Sequence, residues 1–266
     1  MSAYPLLTLS IILILGRQGC AKLLDEGCRP RYIPLISGGG EYNNPTPHMA
    51  YLRVNGVVKC GASLISNRFV LTAKHCLNFK GDYSVVLGKY DKSTPEKEEK
   101  VPVAYFNPHP DKNIDIALLE LKDKVENKPT IKPICIIVDT AVESQLNSIP
   151  EFMILGSVQD SRQQVLVERT DLSSCGNRKD EYSICVKNPD QFSCEGDTGS
   201  PLAGYFKYNG ETVLAQVGVL AGGSNPVCNT YSDVVKITPW IVSTINKEKE
   251  ESIWRKIINY IWSLFE

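Results

Sequence analysis

Cys194-Glu195-Gly196-Asp197-Thr198-Gly199-Ser200-Pro201 is the stretch on which the reading of this chain turns. Glycine and proline punctuate it as a tight turn, and it carries two hydroxyls, those of Thr198 and Ser200. Working outward, His75 lies in Leu71-Thr72-Ala73-Lys74-His75-Cys76, directly after a run read as a strand. Asp115 lies in the apolar run Asn113-Ile114-Asp115-Ile116-Ala117-Leu118-Leu119. An isolated buried carboxylate is very costly, so Asp115 needs a partner, and a histidine is the natural one. The chain order is His75, Asp115, Thr198, at intervals of 40 and 83 residues. That order can assemble a base, the carboxylate that orients it, and a nucleophile.

Around these residues the chain reads as many short strands. Met49–Val54, Val57–Ile65, Phe69–Thr72, Val101–Phe106, Ile116–Leu121 and Val213–Leu220 are apolar, β-branched runs divided by Gly, Pro, Asn and Asp. Their even spacing points to an all-β sandwich or barrel. A long helix is expected only from Thr238-Pro239-Trp240, with Thr238 as N-cap and proline in the first turn.

The 266 residues carry 29 basic and 30 acidic side chains, a formal charge of −1, so no bulk field favours nucleic acid or an anionic surface. Residues 1–21 hold an apolar run of about ten residues followed by Gly19-Cys20-Ala21, which reads as a cleaved signal peptide and is too short to span a bilayer. The competing reading is a buried N-terminal helix. Nine cysteines fit an oxidising, extracellular setting, and eight would remain after cleavage. No Cys-x-x-Cys pair is present, so neither a zinc site nor dithiol chemistry is expected, and no metal or cofactor is assigned.

Here the chain resembles the trypsin/chymotrypsin family, particularly its secreted arthropod members, over roughly Ile33 to Asn246. The resemblance implies two six-stranded antiparallel Greek-key barrels with the site between them, followed by a C-terminal helix. It also implies the disulfides Cys60–Cys76, Cys175–Cys185, Cys194–Cys228 and Cys28–Cys135, the last holding a leader. The implied organisation is a signal peptide (1–21), a leader (22–35), a protease-like domain (36–246) and a tail (247–266).

Within the resemblance Asp115 orients His75, His75 takes the nucleophile's proton, and the backbone N–H groups of Gly196 and Thr198 form the oxyanion hole. The family has serine where this chain has Thr198 and glycine where it has Ser200. Threonine keeps the hydroxyl but adds a methyl on Cβ, which stiffens χ1 in a packed turn. At the base of the substrate pocket Phe192 replaces the aspartate of tryptic enzymes, which excludes tryptic specificity. On the pocket wall Ala221 and Gly222 replace serine and tryptophan, and Gly223 is retained. Ile36-Ser37-Gly38-Gly39 resembles the activation terminus whose ammonium would pair with Asp197, but Leu35 precedes it, so no tryptic cut occurs there.

These departures imply a secreted homologue with impaired catalysis that works as a binding or regulatory module toward extracellular proteins or peptides. The rival reading is an active serine-type endopeptidase that uses Thr198 with non-tryptic specificity. In the tail, Ile253, Trp254, Ile257, Ile258, Ile261, Trp262 and Phe265 recur at helical spacing. Docking on the domain itself and contact with a membrane surface or partner are both open there. His48 and His109, in proline-rich loops, are expected to face solvent. Glu96-Lys97-Glu98-Glu99-Lys100 reads as a solvated charge run rather than a calcium loop.

Overall fold

The computed structural model describes residues 22–29, 46–88, 98–138, 145, 149, 151–158, 161–175, 181–187, 198–221 and 228–262. Six strands lie in the first half: β1 (Met49–Val54), β2 (Val57–Leu64), β3 (Phe69–Thr72), β4 (Tyr83–Leu87), β5 (Glu99–Pro108) and β6 (Ala117–Leu121). They close into a barrel in the order β1-β2-β3-β6-β5-β4. Six more follow: β7 (Glu151–Val158), β8 (Ser161–Thr170), β9 (Ser183–Lys187), β10 (Pro201–Tyr208), β11 (Glu211–Leu220) and β12 (Cys228–Asp233). These close as β10-β11-β12-β9-β8-β7. Closure removes the free sheet edges that would otherwise invite pairing between chains.

Turn chemistry fixes two of the hairpins. Asn55-Gly56 joins β1 to β2 with φ of 51° and 82°, and Asn209-Gly210 joins β10 to β11 with φ of 48° and 81°. Positive φ at both central residues is the demand of the tight primed turn, and Asn-Gly meets it with least strain.

β5 begins at Glu99, so the charge run is not wholly solvated as expected. Glu99 and Lys100 pair with Leu87 and Val86 of β4. Glu98 bonds Arg53 at 3.3 Å, and Glu99 bonds Lys128 at 2.7 Å. His48 also departs from expectation, because it is buried. Its carbonyl accepts from Leu64 N at 2.8 Å, and Lys132 N donates to Pro47 O at 2.9 Å, so that loop is clamped between β2 and the 128–138 segment.

The helix α1 (Val234–Trp262) starts four residues before the expected Thr238. Asp233 is the cap: its Oδ1 accepts from Val235 N at 2.9 Å and from Lys236 N at 3.3 Å. A carboxylate there satisfies amides that have no intrahelical partner, which makes it a better start than a threonine five residues on. Thr238 instead donates its hydroxyl to Val234 O at 2.9 Å, and Pro239 falls inside the helix. Although α1 follows the second barrel, Val234, Ile237, Ile241 and Ile245 are buried in the core of the first. The helix therefore straps the two barrels together.

Three disulfides add covalent ties: Cys28–Cys135, Cys60–Cys76 and Cys175–Cys185. The expected Cys194–Cys228 pair involves Cys194, which lies outside the described residues, as do residues 1–21 and 30–45. Leader residues 22–29 rest on the second barrel: Leu23 is buried in its core and bridges Ile137, and Leu24 N donates to Ile136 O at 3.0 Å.

Candidate active site

Three local structures from both barrels meet at the junction. His75 sits in a short 3₁₀ turn, Lys74–Leu77, that follows β3 directly. The next residue, Cys76, is bridged to Cys60 on β2, so the turn is tied to the barrel wall at the histidine itself. Asp115 sits in the connection from β5 to β6, 8% exposed. Lys74 holds that connection in place by donating to the carbonyls of His109 and Asp111 at 3.3 and 2.6 Å.

The buried carboxylate finds the partner its burial demanded. Asp115 Oδ2 lies 2.7 Å from His75 Nδ1, and Oδ1 accepts from the His75 backbone N at 2.9 Å. Two bonds from one carboxylate fix both the ring and the backbone of the histidine. They also set the tautomer: a proton on Nδ1 faces Asp115, which leaves Nε2 as the basic nitrogen. The His75 side chain is 43% exposed, so it is open to a substrate or binding partner.

Thr198 comes to the same junction from the second barrel. Its carbonyl accepts from Gly61 N at 2.8 Å, and Gly61 adjoins the Cys60 that is bridged to Cys76. On the other side, Gly199 N donates to Leu220 O at 2.8 Å and Leu220 N donates to Ser200 O at 2.9 Å. Gly199 adopts φ of +92°, and a Cβ there would stand 2.3 Å from Gly61 O and 2.5 Å from Thr72 Oγ1. Thr72 Oγ1 in turn donates to Gly61 O at 2.8 Å. The turn is thus pressed into a socket made by β2, the end of β3 and the end of β11. Ser200 is buried there, and among the described residues its Oγ has no hydrogen-bond partner.

Ala221 is buried at the end of β11, its N donating to Thr230 O at 3.0 Å, and offers no hydroxyl. Phe192, Cys194, Gly196, Asp197, Gly222 and Gly223 lie outside the described residues, and so do Leu35 and Ile36. His75 also lies near the sulfurs of Cys60 and Cys76, but these are joined to each other and provide no thiolate ligand.

His109 is half-buried rather than solvent-facing. Its ring meets Trp240 of α1 edge-on at 4.8 Å, and burial pushes its pKa below the ordinary histidine value.

The socket residues Gly61 and Thr72, and Lys74 on the Asp115 connection, carry no sequence signal of their own, since each acts on the backbone of a segment distant in the chain or, for Thr72, of the neighbouring strand. A second such link spans the barrels: Ser63 Oγ on β2 bonds Gln216 Oε1 on β11 at 2.7 Å, both residues buried. Gln216 Nε2 then donates to Gly218 O at 3.1 Å.

Two closed antiparallel barrels with a His–Asp pair at their junction define a protein of the chymotrypsin fold. A family model for trypsin matches residues 36–241, and the chain belongs to that family. The chain is 31% identical to serine protease ea of Drosophila melanogaster over 70% of its length and 59% of that protein's. It is 28% identical to serine protease grass of the same organism, over 79% and 67% of the two lengths. With granzyme B of Rattus norvegicus the identity is 29%, over 80% and 92%.

Proposed function

We propose that this chain is a secreted trypsin-family protein with impaired catalysis, acting as an extracellular binding module. The observation that carries the reading is Thr198 on a turn whose backbone is held from both sides. The neighbouring Gly199 is closely packed, since a Cβ there would stand 2.3 Å from Gly61 O and 2.5 Å from Thr72 Oγ1, so the turn has little slack with which to adjust to the extra methyl. A β-branched side chain has few χ1 wells, so the added methyl restricts the directions open to Oγ1 and works against its alignment on the base. Ala221 supplies no hydroxyl where the family has serine. Three disulfides favour an oxidising compartment, hence secretion.

In this reading His75 and Asp115 persist as a rigid, partly open polar pair at the junction, and the fold presents it to an extracellular protein or peptide. The intact pair, with its 2.7 and 2.9 Å bonds, is what favours the second reading, an endopeptidase with a threonine nucleophile. There His75 Nε2 would take the Thr198 hydroxyl proton while Asp115 stabilises the imidazolium.

One comparison separates the two. Native protein and Thr198→Ser, each cut after Leu35, are exposed to a fluorophosphonate probe and a library of fluorogenic peptides. Loss of a working nucleophile costs on the order of 10⁴–10⁶ in turnover. The expected result is a native protein that is neither labelled nor active. Labelling of native Thr198 together with peptide turnover would overturn the proposal and establish the second reading.

A further inference from the structure

The second half of α1 has an apolar face that the domain does not use. Among the residues of the helix whose burial is described, Ile245 is the last in the core, and about 25 Å of helix extends beyond it at 1.5 Å per residue. On that extension Ile253, Trp254, Ile257 and Ile258 are 56%, 63%, 42% and 49% exposed. At about 100° per residue, these four positions centre roughly 170° around the axis from Ile241 and Ile245, which seat the helix on the barrel. An uninterrupted helix cannot turn both faces to the same core. Docking on the chain's own domain, open from the sequence, is therefore corrected: the extension presents its apolar face outward.

We infer that residues 252–262 form an interfacial helix that lies on a lipid bilayer surface. Register decides this against a second copy of the chain. Positions 253, 254, 257, 258 and 261 fill an arc bordered by Tyr260 on one side and Trp262 on the other, about 200° wide at the helical repeat. A helix pair needs only a narrow seam, whereas half-immersion in a bilayer covers an arc of this width. Aromatic residues with a polar tip at both borders match the headgroup level of a membrane. Arg255 and Lys256 fall by register just beyond the two borders, whereas Glu250 and Glu251, one turn earlier, fall by the same register within the arc, so the immersed face begins only at residue 253. No helix among the described residues is long and apolar enough to cross a membrane.

The test uses the full chain with vesicles of phosphatidylcholine alone and of phosphatidylcholine with phosphatidylglycerol. Flotation with both is expected, with at most a few-fold preference for the anionic vesicles, because Arg255 and Lys256 are offset by Glu250 and Glu251. Tryptophan emission should shift to the blue on binding. The double variant Trp254→Glu/Ile258→Glu touches only exposed positions, so its thermal melt should match native while vesicle affinity falls by at least about a hundredfold. Asn259→Asp, on the opposite side of the helix, should keep affinity within a few-fold. The inference is overturned if the full chain fails to float. It is equally overturned if Asn259→Asp loses as much affinity as the double variant. A concentration-dependent dimer without vesicle binding, abolished by the double variant, would assign the face to a second copy instead.

Discussion

Replacing Gly199 by alanine tests the rigidity on which the proposed loss of catalysis rests. The residue sits at φ of +92°, and its new Cβ would lie 2.3 Å from Gly61 O and 2.5 Å from Thr72 Oγ1. An L-residue at positive φ costs about 1–2 kcal/mol. Forcing a methyl into occupied space adds about 1–3 kcal/mol. The nearer contact is backbone, already hydrogen-bonded to Thr72 Oγ1, so it cannot swing aside as a flexible side chain would. The expected loss is therefore about 2–5 kcal/mol. For a domain of this size that is a fall in Tm of roughly 5–15 °C. Urea denaturation followed by tryptophan fluorescence and by far-ultraviolet circular dichroism measures it, with coincident transitions as the check on two-state behaviour. A loss below about 0.5 kcal/mol, the range of neutral surface changes, would show that the turn yields. A yielding turn could also absorb the methyl of Thr198, and the argument for misplacement of its hydroxyl would fail.

Ser63→Ala removes the donor that reaches Gln216 across the barrels, leaving a buried amide oxygen without that partner, and should cost about 1–3 kcal/mol. Adding Gln216→Leu should recover part of the loss in a double-mutant cycle, and additive effects would refute the coupling. Asp233→Ala should cost about 1 kcal/mol through loss of the helix cap, whereas Asp233→Asn keeps an acceptor and should cost less. Burial raises the Asp233 pKa above 3.8, so its contribution to stability is full below that pH and is lost as pH rises through the folded value. The asparagine variant should lack that downward slope when stability is followed from pH 4 to 7. Cleavage after Leu35 should leave residues 22–35 attached through Cys28–Cys135, giving one band on a non-reducing gel and two after reduction. Two bands without reductant would refute that tie.

Strand identity was legible because it is local. Met49–Val54 and Phe69–Thr72 carry runs of β-forming residues, and both strands end where the sequence places polar punctuation. The hairpin turns at Asn55-Gly56 and Asn209-Gly210, which the sequence reading did not single out, are local too, since positive φ is a demand made on two adjacent residues alone. Asp115 announced its need for a partner by being a charge in an apolar run, and His75 satisfies it. His48 misled the reading because proline-rich loops are usually exposed, and its burial depends on β2 and the 128–138 segment closing over it. The start of α1 was misplaced for a related reason: Asp233 ends a strand and caps a helix at once, and only the packing of Val234 and Ile237 in the first barrel's core reveals the second role.

The sequence by itself therefore determined the many short strands, the hairpin turns, the His–Asp–Thr order and the threonine at the attacking position. These follow from side-chain chemistry and short-range backbone preference. Tertiary structure decided how strands close into two barrels, how Gly61 and Thr72 form the socket that holds Thr198, and that the apolar end of α1 points away from the core. Each is a contact between residues distant in the chain, or the phase of a helix set by where its first turns are seated, and no local pattern encodes either.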